Sequence, residues 1–140
     1  MAGDGPGEGG NRKSVAATVQ MNVFGKALAR IAERVEGTRA VSLVGTDGIP
    51  IETWGSPQSL SIETVAAEMG ALLQAARRAS AASSSGEMRE IATVTDGGIA
   101  VLSRVTGEYY LLLLLAREGN LGRGRFELRK AAAALEKELL

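Results

Sequence analysis

The side chains that could do chemistry in this chain are few in kind, and the kinds that are missing narrow its function first. There is no histidine and no cysteine, which removes the usual neutral-pH general base, thiolate nucleophiles, disulfides and the usual zinc ligands together. Two carboxylates, Asp47 and Glu52, lie near one hairpin. Asp47 belongs to turn chemistry and Glu52 to an exposed strand face, so they form no catalytic pair. Near the N-terminus, Gly7 followed after four residues by Arg12, Lys13 and Ser14 would be a phosphate-binding loop if position 12 were glycine. It is arginine, and a glycine-rich tail precedes it where such a loop needs a buried strand. No catalytic residue, metal ligand or cofactor site follows from the residues, and the expectation is a non-enzymatic protein without a cofactor.

What remains is surface chemistry. Arg123, Arg125, Arg129 and Lys130 crowd the last helix, two of them in its first turn, where the macrodipole disfavours positive charge. A solvated face is the ordinary reading and a contact for an acidic partner the alternative. Phe126 falls opposite the buried stripe of that helix, as a contact residue would, although single exposed apolar residues are common. Trp54, at the end of an edge strand, either covers an end of the core or anchors an interface.

These residues must be positioned by a framework, and its centre is Tyr109 to Ala116, reading Tyr-Tyr-Leu-Leu-Leu-Leu-Leu-Ala. Gly107 bounds it on one side and Arg117, Glu118 and Gly119 on the other, a length that suits a strand. Five successive leucines do not alternate, so both sheet faces are covered there, and the strand lies inside the sheet rather than at an edge. Burying them supplies roughly 8 to 15 kcal/mol of gross driving force before entropy is charged against it.

The other elements follow in order. The first helix spans about Met21 to Glu36, with Phe24, Ala27, Leu28, Ile31 and Val35 on one face and Gly37 at its C-terminal cap. A strand from Ala40 to Val44 turns through Thr46-Asp47-Gly48 into a second from Ile49 to Trp54, and Pro50 makes that second strand an edge. A helix capped by Ser61 runs to about Ala81, with Ile62, Val65, Ala66, Met69, Leu72, Leu73 and Ala76 facing the core. Its opposite face carries Thr64, Ala67, Ala71, Gln74, Ala75 and Arg78. Alanine is the best helix former and is at home in water. Small side chains also admit a second helix, and Gly70 beside that face points to this reading because glycine has no helix propensity to recommend it. Strands from Met88 to Thr95, Ile99 to Val105 and the leucine run form an antiparallel meander. The first of them alternates charged and apolar residues, Arg89 and Glu90 beside Met88 and Ile91, as a half-exposed edge does. A last helix opens at Asn120, with Leu121, Leu128, Ala132, Leu135 and Leu139 as its buried stripe.

The order is α-β-β-α-β-β-β-α: an α+β domain over residues 21–140, with one five-stranded, mainly antiparallel sheet covered by helices. Residues 1–20 read as a disordered glycine-rich tail. With 45% apolar residues in 140, one core is expected. Sixteen basic and sixteen acidic residues balance, so charge suggests neither nucleic acid nor an anionic membrane as partner. Without a signal region or a run of about 20 apolar residues, the expected location is the cytoplasm.

This element order, the strand Arg39-Ala40-Val41-Ser42-Leu43-Val44 leading into Asp47-Gly48-Ile49-Pro50-Ile51-Glu52, and the Asn120-Leu121-Gly122 opening of a helix containing Glu127-Leu128-Arg129 resemble the roadblock/dynein light-chain family. The closest flavour is its bacterial, MglB-like branch of co-regulators of Ras-like GTPases. The resemblance covers about Met21 to Leu140 and contains no catalytic signature. It implies a homodimer in which the third strands pair edge to edge and the second helices pack across a two-fold axis. The interface would then comprise Ala67, Ala71, Gln74, Ala75 and Arg78 with Met88, Arg89, Ile91 and Thr93, while Trp54, Arg123, Arg125 and Phe126 are partner-contact candidates. It also implies binding of a small Ras-like GTPase, with Arg78, Arg123 and Arg125 the candidates for an arginine supplied in trans. A dimeric scaffold for a non-GTPase partner is the alternative.

Overall fold

The computed structural model describes residues 22–55 and 58–139. The tail expected over residues 1–20, with its near-miss phosphate loop, lies outside the described residues. Helix α1 covers residues 22–34 and is followed by β1 (Thr38–Gly45), β2 (Pro50–Trp54), α2 (Ile62–Ala82), β3 (Glu90–Thr95), β4 (Gly98–Arg104), β5 (Tyr109–Ala116) and α3 (Leu121–Leu139). The five strands form one sheet in the order β2-β1-β5-β4-β3, with every neighbouring pair antiparallel. The leucine strand is therefore central, flanked by β1 (Leu43 opposite Leu111) and β4 (Leu102 opposite Leu112).

Its leucines divide by parity. Leu111, Leu113 and Leu115 enter a core with Phe24, Leu28 and Ile31 of α1 and Leu128 and Leu135 of α3. Tyr110, Leu112 and Leu114 enter a second core with Ala66, Met69 and Leu73 of α2. Strand residues alternate between faces, so an unbroken apolar run requires helices on both sides, and the fold supplies them. Pro50 lies in edge strand β2 as expected, and Ser42 inside β1 is satisfied by the Glu52 carbonyl (3.0 Å) and the Thr53 hydroxyl (2.9 Å).

The expected turn chemistry is present. Gly37 after α1 has φ +88°, and the amides of Ala116 and Asn120 donate to the carbonyls of Gly37 and Glu36. This ties the end of α1 to the β5–α3 turn. The Ser61 hydroxyl accepts from the Thr64 amide (3.2 Å) and the Asn120 side chain from the Arg123 amide (3.0 Å), so both helices start on side-chain caps.

Three expectations are corrected. Leu72 is not part of the core face of α2 but 39% exposed; at 100° per residue it lies about 110° from the centre of the buried face formed by Ala66, Met69, Gly70 and Leu73. Gly70 faces this chain's own β1–β2 turn, because a Cβ there would come within 3.0 Å of the Gly48 Cα. Its glycine serves an internal close approach, which removes it as an argument for a second helix. Strand β3 begins at Glu90 rather than at Met88. Met88 packs against the α2-side core, and its carbonyl accepts the Tyr110 hydroxyl (3.1 Å).

Candidate functional site

The two faces of the sheet are unequally covered. Helices α1 and α3 share one face, and α2 alone lies on the other. Five strands at a spacing of about 4.8 Å make a sheet roughly 19 Å across, against about 10 Å for one helix. A strip along β3 and β4 on the α2 side therefore stays open. It forms a groove of about 270 Å³ in which Leu60 and Val65 face Thr93, Thr95 and Ala100.

The candidate interface residues of α2 and β3 lie on this same side of the sheet. Ala67, Ala71, Ala75 and Arg78 are exposed along α2, and Leu72 adds an exposed apolar side chain beside Ala75. On β3, Ile91 and Thr93 point to the α2 side, since they pair with Leu102 and Ala100, and both are half-buried. Val94, facing the other way on the same edge strand, is 70% exposed. A helix face of small side chains, an exposed leucine and the edge strand β3 thus lie on the same side of the sheet. Two members of the expected set are already engaged within the chain. The Gln74 amide donates to the Thr46 carbonyl (3.0 Å), and Met88 is held as described above. Arg89 is exposed and precedes the strand proper.

The remaining contact candidates are scattered. Trp54 is 38% exposed at the far edge strand and belongs to neither core. On α3, Phe126 is 50% exposed, with the Arg123 guanidinium 5.5 Å and the Lys130 ammonium 5.1 Å from its ring centre. Arg123 lies 2.9 Å from the Glu127 carboxylate. The Arg125 Nε donates to Glu90 (2.9 Å), linking α3 to the start of β3. Of the three arginines considered as donors in trans, two are thus committed to intrachain ion pairs, whereas Arg78 stands exposed on the alanine face.

Glu127 is the residue that sequence reasoning missed. Its side chain is 2% exposed, within 4 Å of Arg34 (3.6 Å), Arg123 (2.9 Å) and Lys130 (3.7 Å). A signal was available: Glu127 lies between Gly124, Leu128 and Ala131 on the inward side of α3, with cations four residues before and three after. Burial pushes the pKa of the Tyr110 phenol above its ordinary value, while Arg77 and Arg104 pull it down. Among the described residues, no group of three or more Asp or Glu is placed to hold a metal ion, and no helix is long and apolar enough to cross a membrane.

The family model for the Roadblock/LC7 domain matches residues 26–116. Among solved structures, MglB from Myxococcus xanthus is 17% identical with a TM-score of 0.78, covering 85% of this chain and 89% of that one. An MglB with a tetrameric arrangement is 16% identical with a TM-score of 0.74, covering 80% and 84%. MglC from Myxococcus xanthus is 30% identical with a TM-score of 0.60, covering 83% and 98%. The two MglB likenesses are likenesses of fold. No curated protein matches the sequence significantly.

Proposed function

Because the chain belongs to the Roadblock/LC7 domain family, we propose that it is a non-catalytic, self-associating regulator that binds a small Ras-like GTPase. The observation that carries this reading is the half-covered α2 side of the sheet. The exposed face of Ala67, Ala71 and Ala75, with Leu72 beside it, and the open edge of β3 give a second copy a helix surface and a strand edge at once. Two β3 strands pairing across a two-fold axis would satisfy both edges. Two α2 helices would close over the groove beside β3. The likeness to a tetrameric MglB supports association of copies.

The GTPase partner rests on the resemblance to the MglB-like branch. A protein without a nucleotide motif alters a GTPase by binding one nucleotide state more tightly than the other, since a ligand shifts an equilibrium only by its differential affinity. The GTP-bound form is the one expected to be preferred. With Arg123 and Arg125 held by Glu127 and Glu90, stimulation of hydrolysis would come from repositioning the GTPase's own residues, with Arg78 the remaining donor in trans.

Ala71→Glu tests the association: it puts a carboxylate where two small faces would meet. Sedimentation should find the wild type near twice its 14.5 kDa chain mass and the variant near one. A single wild-type species at chain mass would refute the dimer. The partner is tested by comparing affinities of candidate Ras-like GTPases in GDP and GTP-analogue forms, followed by single-turnover hydrolysis with wild type and Arg78→Ala. Equal affinities with unchanged hydrolysis and exchange would leave an adaptor role.

A further inference from the structure

Helices α1 and α3 leave a groove between them on the side of the molecule away from α2, and its chemistry is unlike that of the balanced chain. Arg30 and Arg34 of α1 and Lys130 of α3 line it together with Ala27, Ala131 and Ala134, above the buried Ile31, with a volume of about 230 Å³. Arg123 joins them through Glu127, the one carboxylate among the described residues that line the groove. Among the described residues that line the groove or pair with Glu127, four cations against one anion leave three positive charges, in a protein whose formal net charge is zero. The carboxylate is 2% exposed, so what solvent meets there is the cations, each of those paired with it being nearly half exposed. Next to Lys130, outside the residues that line the groove, stands the half-exposed ring of Phe126, with Arg123 also beside it.

We infer that this α1–α3 groove is a docking site for an acidic polypeptide segment carrying a large apolar side chain. Charge complementarity selects the carboxylates: three uncompensated cations flank a concavity and steer an acidic chain toward it. The small alanines that line the groove leave room for one inserted side chain, and an aromatic ring beside arginine is the composition of an interface anchor. The cations are also preorganised. Arg34, Arg123 and Lys130 are held near Glu127, and Arg123 and Lys130 also rest against Phe126, so less side-chain freedom is lost on binding. A bilayer surface is disfavoured because the apolar element is one ring beside a hollow rather than a protruding stripe. Nucleic acid is disfavoured because affinity for it grows with the number of phosphates neutralised, and four cations around a buried anion offer few.

The inference goes beyond the proposed function and depends on neither self-association nor a GTPase, since the groove lies on the opposite sheet face from α2. It is tested on the full chain with a fluorescein-labelled peptide of glutamates around a central phenylalanine and leucine, read by fluorescence polarisation. Saturable binding is expected, weakening as salt rises from roughly 0.05 to 0.2 M. Arg30→Glu should weaken it about tenfold and Phe126→Ala at least about threefold, with far-UV circular dichroism and sedimentation unchanged. Arg30 is the charge reversal of choice because it makes no ion pair with Glu127, so a folding defect does not mask the result. Ala71→Glu should leave peptide binding intact even where it dissociates the dimer. The inference is overturned by absent binding, by equal binding of a peptide with lysine in place of glutamate or with alanine in place of its apolar residues, by wild-type affinity in Arg30→Glu, or by binding of phosphatidylserine vesicles or single-stranded DNA in preference to the peptide.

Discussion

Replacing Tyr110 with phenylalanine should cost stability at neutral pH and cost less as the pH becomes alkaline. The phenol is fully buried, its hydroxyl donates to the Met88 carbonyl (3.1 Å), and Arg77 lies 5.9 Å from its ring centre while donating to the Gly107 carbonyl (3.1 Å). At pH 7, Tyr110→Phe removes one hydrogen bond and leaves a carbonyl without that donor. The cost is about 0.5 to 1.5 kcal/mol, or roughly 2 to 6 °C in melting temperature for a domain of this size. Rising pH acts the other way. Burial, only partly offset by Arg77 and Arg104, holds the folded phenol above its ordinary value of 10.0. The unfolded chain therefore loses this proton near pH 10 while the folded chain keeps it. The stability contributed by the neutral phenol is full below the unfolded value and is lost as pH climbs toward the folded one, with a slope of up to about 1.4 kcal/mol per pH unit. Tyr110→Phe has no such slope, and all other titrating groups are common to both proteins. The assay is urea unfolding followed by circular dichroism at matched protein concentration from pH 7 to 11. The wild type should lead at pH 7, and its lead should shrink above pH 10. A gap that stays constant across that range would refute the assignment of a buried, neutral phenol.

Leu112→Ala, at the fully buried centre of the sheet, should cost about 2.7 to 5 kcal/mol with an unchanged denaturant slope, as a cavity-forming substitution does. Gly48→Ala should destabilise by more than about 1 kcal/mol, since φ is +84° and a Cβ would sit 3.1 Å from the Ala67 Cα; thermal melts decide it. Arg125→Ala should cost less than about 1 kcal/mol, the usual worth of a half-exposed ion pair, and adding Glu90→Gln should cost little more, as a double-mutant cycle would show.

What the sequence determined alone is what depends on neighbours along the chain. Each element could be identified from periodicity, caps and turns: Ser61 and Asn120 cap the helices they were expected to start, Gly37 takes the left-handed conformation, and the leucine strand runs from Tyr109 to Ala116 with both faces covered. Family membership was legible for the same reason, because it resides in the order of elements. Tertiary structure decided whatever depends on which surfaces meet. Leu72 and Leu73 are adjacent leucines on one helix, yet one is exposed and the other buried, because α2 contacts the sheet over a narrower arc than its apolar residues span. Gly70 looked like a gap for another helix and instead admits the turn at Gly48. Glu127 reads as an ordinary surface glutamate until α1 brings Arg34 across to it. The basic groove likewise exists only because α1 and α3, almost a hundred residues apart in sequence, lie side by side on one face of the sheet. Periodicity is set within each element, but the neighbour that covers a face is chosen by the packing of all of them.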